Sequence, residues 1–347
     1  MRIADFKLSY RADEALLDTS TRKLWMALLL LALAAYPLVA GDYLVYMGCL
    51  LGINVIAAIG LNVLVGNTGQ LSVGHAAFMA VGAYTVVLSA KHLGLPFWLA
   101  LPLAGAVSAG VGAVVGLPSL RIKGLYLAMA TLASQFLIVF VISHWSVLGG
   151  GRGLAVEPAS LGPWRLDNDR KVYFLIVGCA FGLALFAWNL FRTRIGRAFI
   201  AVRERDYSAE VLGVNLLRYK LLAFALSSFY AGVAGGLLAY FFKFVGPEHF
   251  GFSVSVFFLA AVIIGGLGSV LGAVLGTLFM TLVPELLKEL VGLLAVHYPG
   301  QAQRVLAPAR EFVFGLLIVL FLLFEPGGLA QIWRRIREAA RTWPFKN

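Results

Sequence analysis

Hydrophobic residues occur along this chain in long runs, and short polar clusters separate one run from the next. An apolar run of about 20 residues is the length that an α-helix needs to cross the hydrocarbon core of a bilayer. The pattern therefore predicts an all-α polytopic membrane protein with about ten transmembrane helices. The predicted segments are 24–41, 43–65, 71–90, 97–116, 124–147, 172–190, 220–241, 252–266, 269–284 and 311–324.

The stretch from 43 to 90 contains no charged residue, yet a polar cluster interrupts it. As one continuous helix its 48 residues would extend about 72 Å, more than twice the roughly 30 Å hydrocarbon core. The chain must therefore turn back, and Asn67-Thr68-Gly69-Gln70 is the only local cluster of helix breakers. We interpret residues 67–72 as a polar break that faces protein or water rather than lipid.

The segment 252–284 could form one bent helix or two passes hinged at Gly265-Gly266-Leu267-Gly268. The N-terminal tail, the loop 192–220 and the C-terminal tail are rich in Arg and Lys, which is typical of cytoplasmic flanks. Only two passes place all three on the cytoplasmic side. We therefore predict two passes, with both termini cytoplasmic.

These assignments divide the chain into a cytoplasmic tail (1–23), a single transmembrane domain (24–324) that includes the loop 192–220, and a basic cytoplasmic tail (325–347). The run 24–40 could be mistaken for a signal peptide, but nine further hydrophobic segments favour a retained first helix. Glycines at helical spacing also predict close helix packing in lipid. They are Gly112 with Gly116, and Gly268 with Gly272 and Gly276.

Composition supports the membrane class, since 61% of the 347 residues are hydrophobic and only 13% are charged. A soluble domain carries about 25% charged residues. The net charge of +11 does not indicate nucleic acid binding, because the basic residues lie mostly in the two tails and one loop. Cys49 and Cys179 both lie in apolar runs, which favours packing over a disulfide or a metal pair.

The motifs argue against an enzyme. No Lys is followed by Ser or Thr, so a Walker A motif is absent and any ATP hydrolysis must come from another chain. There is no Gly-x-Ser-x-Gly elbow, no His-Glu-x-x-His and no carboxylate pair within the predicted spans, and we expect no metal or cofactor. The missing carboxylates also argue against a proton- or sodium-coupled carrier. A lone His75 in these spans is more typical of hydrogen-bonded packing than of a proton relay.

The loop 192–220 has its own pattern. Ile195, Phe199 and Val202 follow helical spacing among charged residues, and Gly213 supplies a stop after a second short helical turn. Two short amphipathic helices at the membrane surface are predicted. They could contact anionic lipid, or they could form a docking surface for a soluble partner.

This loop strongly resembles the coupling loop of the permeases of branched-chain amino-acid ABC transporters. The matching residues in the loop are Gly196-Arg197-Ala198, Ala201-Val202-Arg203-Glu204, Ala209, Gly213-Val214-Asn215 and Tyr219-Lys220. Similar motifs elsewhere are Gly60-Leu61-Asn62-Val63, Gly66, Gly69-Gln70-Leu71-Ser72, Gly74-His75-Ala76-Ala77-Phe78, Gly265-Gly266-Leu267-Gly268-Ser269 and Glu325-Pro326-Gly327-Gly328-Leu329. The long N-terminal part resembles the larger, LivM-like, of the two permease types.

The resemblance implies a type II architecture, like that of the ten-helix vitamin importers, with coupling helices between the sixth and seventh spans. It also implies partners: a second, different permease subunit, two cytoplasmic ATP-binding subunits and a periplasmic binding protein at the bacterial inner membrane. The implied substrates are branched-chain or other hydrophobic or neutral amino acids. Urea and short-chain amide permeases share the motifs, and an ATP-independent channel or a secondary carrier is the alternative of a different class.

The resemblance also suggests roles for individual residues. ATPase coupling is expected at Gly196, Arg197, Ala198, Arg203, Glu204, Ala209 and Gly213. The translocation path is expected beside Asn62, Asn67, Gln70, Ser72 and His75. Helix packing or hinge roles are expected at Gly265, Gly266, Gly268, Gly272 and Gly276.

Overall fold

The computed structural model describes residues 20–161, 164–165, 168–297, 307–325 and 327–342. The first 19 residues of the predicted N-terminal tail lie outside this range. The described chain is almost entirely helical, as a lipid environment requires, because a helix satisfies its own backbone donors and acceptors. The helices are α1 (Ser20–Val39), α2 (Asp42–Thr68), α3 (His75–Leu93), α4 (Phe97–Gly116), α5 (Leu125–His144), α6 (Asp169–Arg192), α7 (Arg194–Glu204), α8 (Asp206–Val211), α9 (Leu216–Phe242), α10 (Phe252–Gly265), α11 (Val270–His297), α12 (Ala307–Phe324) and α13 (Gly328–Thr342).

The all-α polytopic class is confirmed. Within the described ranges eight helices are long and apolar enough to cross a membrane: α2, α3, α4, α5, α6, α9, α10 and α11, with α4 and α10 each extended by an adjoining 3-10 turn. Shorter apolar stretches lie in α1 and α12, where the first and last segments were predicted. Predicted segment 124–147 ends earlier than expected, because α5 stops at His144 and a 3-10 turn, Ser146–Leu148, follows.

The break after α2 exists, but it lies further along the chain than predicted. Helix α2 continues through Thr68, whose hydroxyl donates to the Leu64 carbonyl at 2.6 Å. Gly69 then adopts a left-handed conformation (φ 69°) and ends the helix, and α3 begins only at His75 rather than at residue 71. The break therefore spans 69–74, and Asn67 belongs to the last turn of α2.

The segment 252–284 forms two helices, as predicted. Helix α10 ends at Gly265 and α11 begins at Val270. Gly266 and Gly268 have φ values of 111° and 82°, a conformation that favours glycine. The predicted glycine stripe needs one correction, because Gly268 lies in this turn and not on the face of α11.

Helices α10 and α11 pack closely through small residues, as the spacing predicts. A Cβ atom on Gly276 would overlap the Ala261 carbonyl oxygen, and one on Gly265 would overlap the Gly272 carbonyl oxygen. Gly112 and Gly116 on α4 likewise pack directly on Ser228 and Phe224 of α9. Helix α9 lies at the centre of the bundle, against α2, α3 and α4.

Both cysteines pack within the bundle as free thiols, Cys49 buried and Cys179 half-buried. At one end of the bundle the loop after α5 pairs with the loop after α9. The pairing is antiparallel, between β1 (Leu154–Ala155) and β4 (Phe244–Val245). A hairpin of β2 (Ser160–Leu161) and β3 (Trp164–Arg165) lies in the first of these loops.

Candidate functional site

The loop 192–220, here called the coupling segment, contains two short helices, as predicted. Thr193 caps α7 by accepting a hydrogen bond from the Ile195 N–H at 3.2 Å, and Gly213 ends the second helical region in a left-handed conformation. The apolar spacing is confirmed as the inward face of α7, since Phe199 and Val202 are buried. Phe199 packs with Phe224 of α9 and Leu64 of α2.

Three of the residues predicted to couple face inward. Gly196 packs on the backbone of Leu190 and Phe191 at the end of α6, where a Cβ atom would overlap. Ala198 and Ala209 are buried, so they too hold the short helices against the bundle. The other members of the predicted set are exposed, namely Arg197, Arg203, Glu204 and Gly213.

Arg203 connects the coupling segment to the end of α2. Its guanidinium donates a hydrogen bond of 2.5 Å to the Gly66 carbonyl oxygen. Gly66 lies in the last turn of α2, where the helix dipole favours a positive charge. The same guanidinium lies beside Gly268, close enough that a Cβ atom there would lie 3.0 Å from it. The coupling segment therefore contacts both the end of α2 and the α10–α11 turn.

Asn62, one turn before Gly66 on α2, adds to this connection. Its Oδ1 accepts from the Gly268 N–H at 2.9 Å, and its Nδ2 donates to the Ser269 carbonyl at 2.8 Å. With Gly66 and Arg203 these residues form a polar junction, which we name the Asn62–Arg203 junction. It joins three segments that are distant in sequence and lies at the same end of the bundle as the coupling segment.

Asp206 attaches the start of α8 at a second point. It forms ion pairs with Lys123, in the loop before α5, and with Lys220 of α9 at 3.6 Å. The Lys220 side chain is only 7% exposed, whereas that of Lys123 is 51% exposed and lies over the Tyr207 ring. The hydrogen bond from Lys123 and the charges of both lysines hold the pKa of Asp206 below its ordinary value. The same hydrogen bond raises the pKa of Lys123.

A cavity of about 190 Å³ lies between the coupling segment and the break after α2. Both attachment points border it. The lining includes Gln70, Lys123, Arg203, Asp206 and Lys220.

The residues predicted for the translocation path are all buried within this chain. His75 is hydrogen-bonded, with Nε2 lying 2.9 Å from the Ala57 carbonyl oxygen, and it packs edge-on against Phe258. Three polar atoms near the break have no hydrogen-bond partner among the described residues: Asn67 Oδ1, Gln70 Oε1 and Ser72 Oγ. Asn62 belongs to the junction described above.

The start of α3 is held by residues that the sequence did not single out. Val73 N–H donates to Thr131 Oγ1 at 3.0 Å, and Ala77 N–H donates to Gln135 Oε1 at 2.8 Å. The Ala77 bond satisfies a donor that a helix start leaves open, and the Val73 bond holds the break just before the helix. Polar residues in the otherwise apolar α5 were the available signal.

The surface of the coupling segment carries a group of exposed apolar side chains that the sequence pattern did not predict. Tyr207, Val211 and Leu212 are 75%, 89% and 82% exposed. The signal was the spacing of 207 and 211 on α8 within a charged stretch. We call the surface formed by Arg197, Ile200, Glu204, Tyr207, Val211 and Leu212 the exposed coupling face.

Within the described residues, no group of three or more His, Cys, Asp or Glu side chains is placed to hold a metal ion.

Comparisons with known proteins match the sequence of this chain to one family. Residues 43–322 match the family described as the branched-chain amino acid transport system permease component. The permease LivM of Salmonella typhimurium is 33% identical over 342 residues, covering 91% of this chain and 77% of the relative. LivM of Escherichia coli K12 is 32% identical over the same shares, and LivH of that organism is 25% identical over 61% of this chain and 74% of the relative. No solved structure shows a significant match.

Proposed function

The chain belongs to the family of branched-chain amino acid transport system permease components, and we propose that it is one of two different permease subunits in an ABC importer. The relatives named LivM and LivH are two kinds of permease protein of one such system, and this chain is more similar to LivM. In the proposed assembly, two cytoplasmic ATP-binding subunits drive transport and a periplasmic binding protein delivers a branched-chain or other hydrophobic amino acid.

The proposed architecture is the ten-span, type II arrangement in the bacterial inner membrane, with both termini cytoplasmic. Eight helices have the length and hydrophobicity for spans, and the apolar parts of α1 and α12 would make ten. An even number of spans keeps the two termini on one side. Arg203 contacts Gly66 and lies beside Gly268. These contacts support a common cytoplasmic end, because α2 and α10 would both end on the cytoplasmic side in this architecture.

The observation that carries the proposed function is the pair of attachment points on the coupling segment. We propose that the ATP-binding subunits dock on the exposed coupling face, and that their closure moves α7 and α8 as a unit. Arg203 transmits this motion to the end of α2 and to the α10–α11 turn, and Asp206 transmits it to the starts of α5 and α9. Rigid-body rearrangement of packed helices is a common means of alternating access.

The predicted path residues take part in this mechanism by gaining hydrogen-bond partners in a second arrangement. Among the described residues, the buried oxygens of Asn67, Gln70 and Ser72 have no hydrogen-bond partner, which is costly in this arrangement. A second arrangement of the break 69–74 would expose these oxygens to water or to substrate. We therefore propose that the break opens toward the pathway in another transport state.

Reconstitution tests the assignment directly. The chain is co-expressed with its second permease subunit, the ATP-binding subunits and the binding protein, and uptake of labelled leucine, urea and acetamide into proteoliposomes is measured. Uptake that requires ATP and the binding protein, and that selects leucine, supports the proposal. Uptake without ATP would identify a channel or carrier instead. Uptake of urea or acetamide in place of leucine would identify a urea or amide permease.

Docking is tested separately with Val211→Glu and Leu212→Glu. Both residues are almost fully exposed, so the substitutions leave the fold of the chain intact. They should abolish co-purification of the ATP-binding subunits. Leu93→Glu is the matched control, because Leu93 is 67% exposed at the far end of α3 and should retain the ATP-binding subunits.

A further inference from the structure

The last described helix, α13, is amphipathic, and the proposed transport mechanism does not use it. In α13, Leu329, Trp333 and Ile336 follow the i, i+4, i+7 spacing of one helix face. The helix also carries four Arg residues and a single Glu. Three of the arginines lie on other faces, and Arg337 borders the apolar face one turn after Trp333. A helix with this division is typical of the boundary between membrane and water.

The first turn of α13 is packed into the bundle. Gly328 lies against the backbone of Gly266, and Ala330 also contacts Gly266. Leu329 joins an apolar cluster with Ile264 and Phe321. The start of α13 therefore lies at the α10–α11 turn, on the same end of the bundle as the Asn62–Arg203 junction.

Further along α13 the apolar face is exposed. Trp333 and Ile336 are 50% and 56% exposed, although they continue the face that Leu329 buries. Arg334 and Arg337 are also exposed. An exposed Trp and Ile on a helix of net positive charge need a partner that is both apolar and anionic.

We propose that α13 lies on the cytoplasmic surface of the membrane and binds anionic phospholipid. Its apolar face, with Trp333 and Ile336, enters the boundary of the acyl chains, and Arg334 and Arg337 contact lipid phosphates. The side rests on the proposed orientation, but contact with lipid does not.

The position of α13 in the chain favours lipid over a protein partner. The apolar helix α12 ends at Phe324, and only residues 325–327 separate it from α13. With α12 as the last span of the proposed architecture, α13 begins at the membrane boundary. Arg335 pairs with Glu325 at 2.5 Å, which holds α13 close to the end of α12. The net charge of residues 328–342 is +3, from four Arg and one Glu, and it complements an anionic leaflet.

Fluorescence quenching in the assembled transporter tests the proposal. The full complex is placed in nanodiscs of phosphatidylcholine mixed with brominated phosphatidylglycerol or brominated phosphatidylcholine. The emission of Trp333 is obtained as the difference between the wild-type complex and the Trp333→Phe complex. We expect it to be quenched by both lipids, and several-fold more strongly by the anionic one.

The double variant Arg334→Gln/Arg337→Gln should remove this preference while quenching by phosphatidylcholine persists. Each Arg near an anionic surface contributes about 1 kcal/mol, so two account for a preference of roughly 30-fold at most. Arg121→Gln/Arg152→Gln removes the same charge from exposed positions elsewhere and should leave the preference unchanged.

Three results would overturn the proposal. Trp333 emission could be insensitive to either brominated lipid, which would place the helix away from the bilayer. It could be quenched only when the ATP-binding subunits are omitted, which would show that those subunits, and not lipid, cover the apolar face of α13 in the complex. It could also be quenched equally by the two lipids in the wild-type complex, which would leave no anionic recognition. None of these readouts requires uptake, so they are independent of the transport assignment.

Discussion

The guanidinium of Arg203 donates a 2.5 Å hydrogen bond to the carbonyl oxygen of Gly66, across 137 residues of sequence. One partner belongs to a short surface helix and the other to the last turn of a buried helix. A charged donor on a helix C-terminal carbonyl is among the stronger single hydrogen bonds in proteins. The contact connects the surface on which ATP-binding subunits would act to the break beside the predicted pathway.

Arg203→Ala should uncouple ATP hydrolysis from uptake. The variant loses a charge-assisted hydrogen bond of about 1.5–3 kcal/mol, which corresponds to roughly a tenfold to hundredfold loss of coupling. We expect uptake by the reconstituted complex to fall by about that factor while the ATPase rate per complex is retained.

Arg205→Ala is the matched control, since Arg205 is exposed two residues further on. It should preserve the ratio of uptake to hydrolysis. Normal uptake by Arg203→Ala would show that the Gly66 contact does not transmit motion.

The main features of this site differ in how far they could be predicted from sequence. The break after α2 follows from helix length alone, and the two short helices follow from local periodicity around Phe199. The direction of Arg203 does not, because its partner Gly66 becomes a neighbour only through tertiary packing. The contacts of Asn62 could not be predicted for the same reason, since its partners lie more than 200 residues away. Gly268 fits a helical glycine spacing, yet its positive φ places it in a turn.

Asn62→Leu should destabilise the protein. Asn62 is 1% exposed, and its removal leaves the half-buried Gly268 N–H and Ser269 carbonyl without this partner. An orphaned buried group costs about 1–3 kcal/mol, so the thermal unfolding midpoint of the purified chain in detergent should fall by several degrees.

Asn67→Leu provides the comparison for Asn62. Asn67 is also buried, but its Oδ1 has no partner among the described residues, so the substitution removes a costly unpaired atom and should not lower the midpoint. If Asn67 lines the pathway in another state, the variant should instead lower uptake. Equal destabilisation by the two substitutions would contradict the assigned role of Asn62.

Asp206→Asn should cost more stability than Lys123→Gln. The substitution leaves the nearly buried ammonium of Lys220 without its carboxylate, which typically costs about 3–5 kcal/mol. Lys123 is half exposed, so its loss should cost less than about 1 kcal/mol. Unfolding of wild type and the two variants in denaturant measures both costs.

The double variant Asp206→Asn/Lys220→Met separates a charge effect from a shape effect. Replacing the buried ammonium by an apolar chain of similar length removes the uncompensated charge, so most of the lost stability should return. A double variant as unstable as Asp206→Asn would mean that Asp206 acts through other contacts.

The Asp206 ion pair should make stability depend on pH at both extremes. The Lys123 hydrogen bond lowers the pKa of Asp206 below 3.8. The contribution of ionised Asp206 to the free energy of unfolding is therefore present above about pH 4, and it is lost as pH falls through the pKa of Asp206 in the folded protein. The same bond raises the pKa of Lys123 above 10.5. The contribution of charged Lys123 to the free energy of unfolding is therefore present below about pH 10, and it is lost as pH rises through the pKa of Lys123 in the folded protein. The difference in unfolding midpoint between wild type and Asp206→Asn should be flat between these limits and shrink outside them. A difference that grows on acidification would contradict this assignment.

Gly276→Ala should impair both stability and transport, because α10 and α11 pack at this point backbone to backbone. A Cβ atom at 276 would overlap the Ala261 carbonyl oxygen and would lie 2.7 Å from Gly265, so the two helices must separate. Overpacking of this kind costs about 1–3 kcal/mol.

Gly178→Ala is the control, since a Cβ atom at this position within α6 would have no neighbour within 4 Å, and it should be neutral or stabilising by up to about 1 kcal/mol. Thermal unfolding of both variants, followed by uptake at a temperature where both are folded, checks the prediction. Helix α11 leads directly from the turn that Arg203 contacts, so a loss of uptake by folded Gly276→Ala would show that this packing is needed for motion as well as for stability.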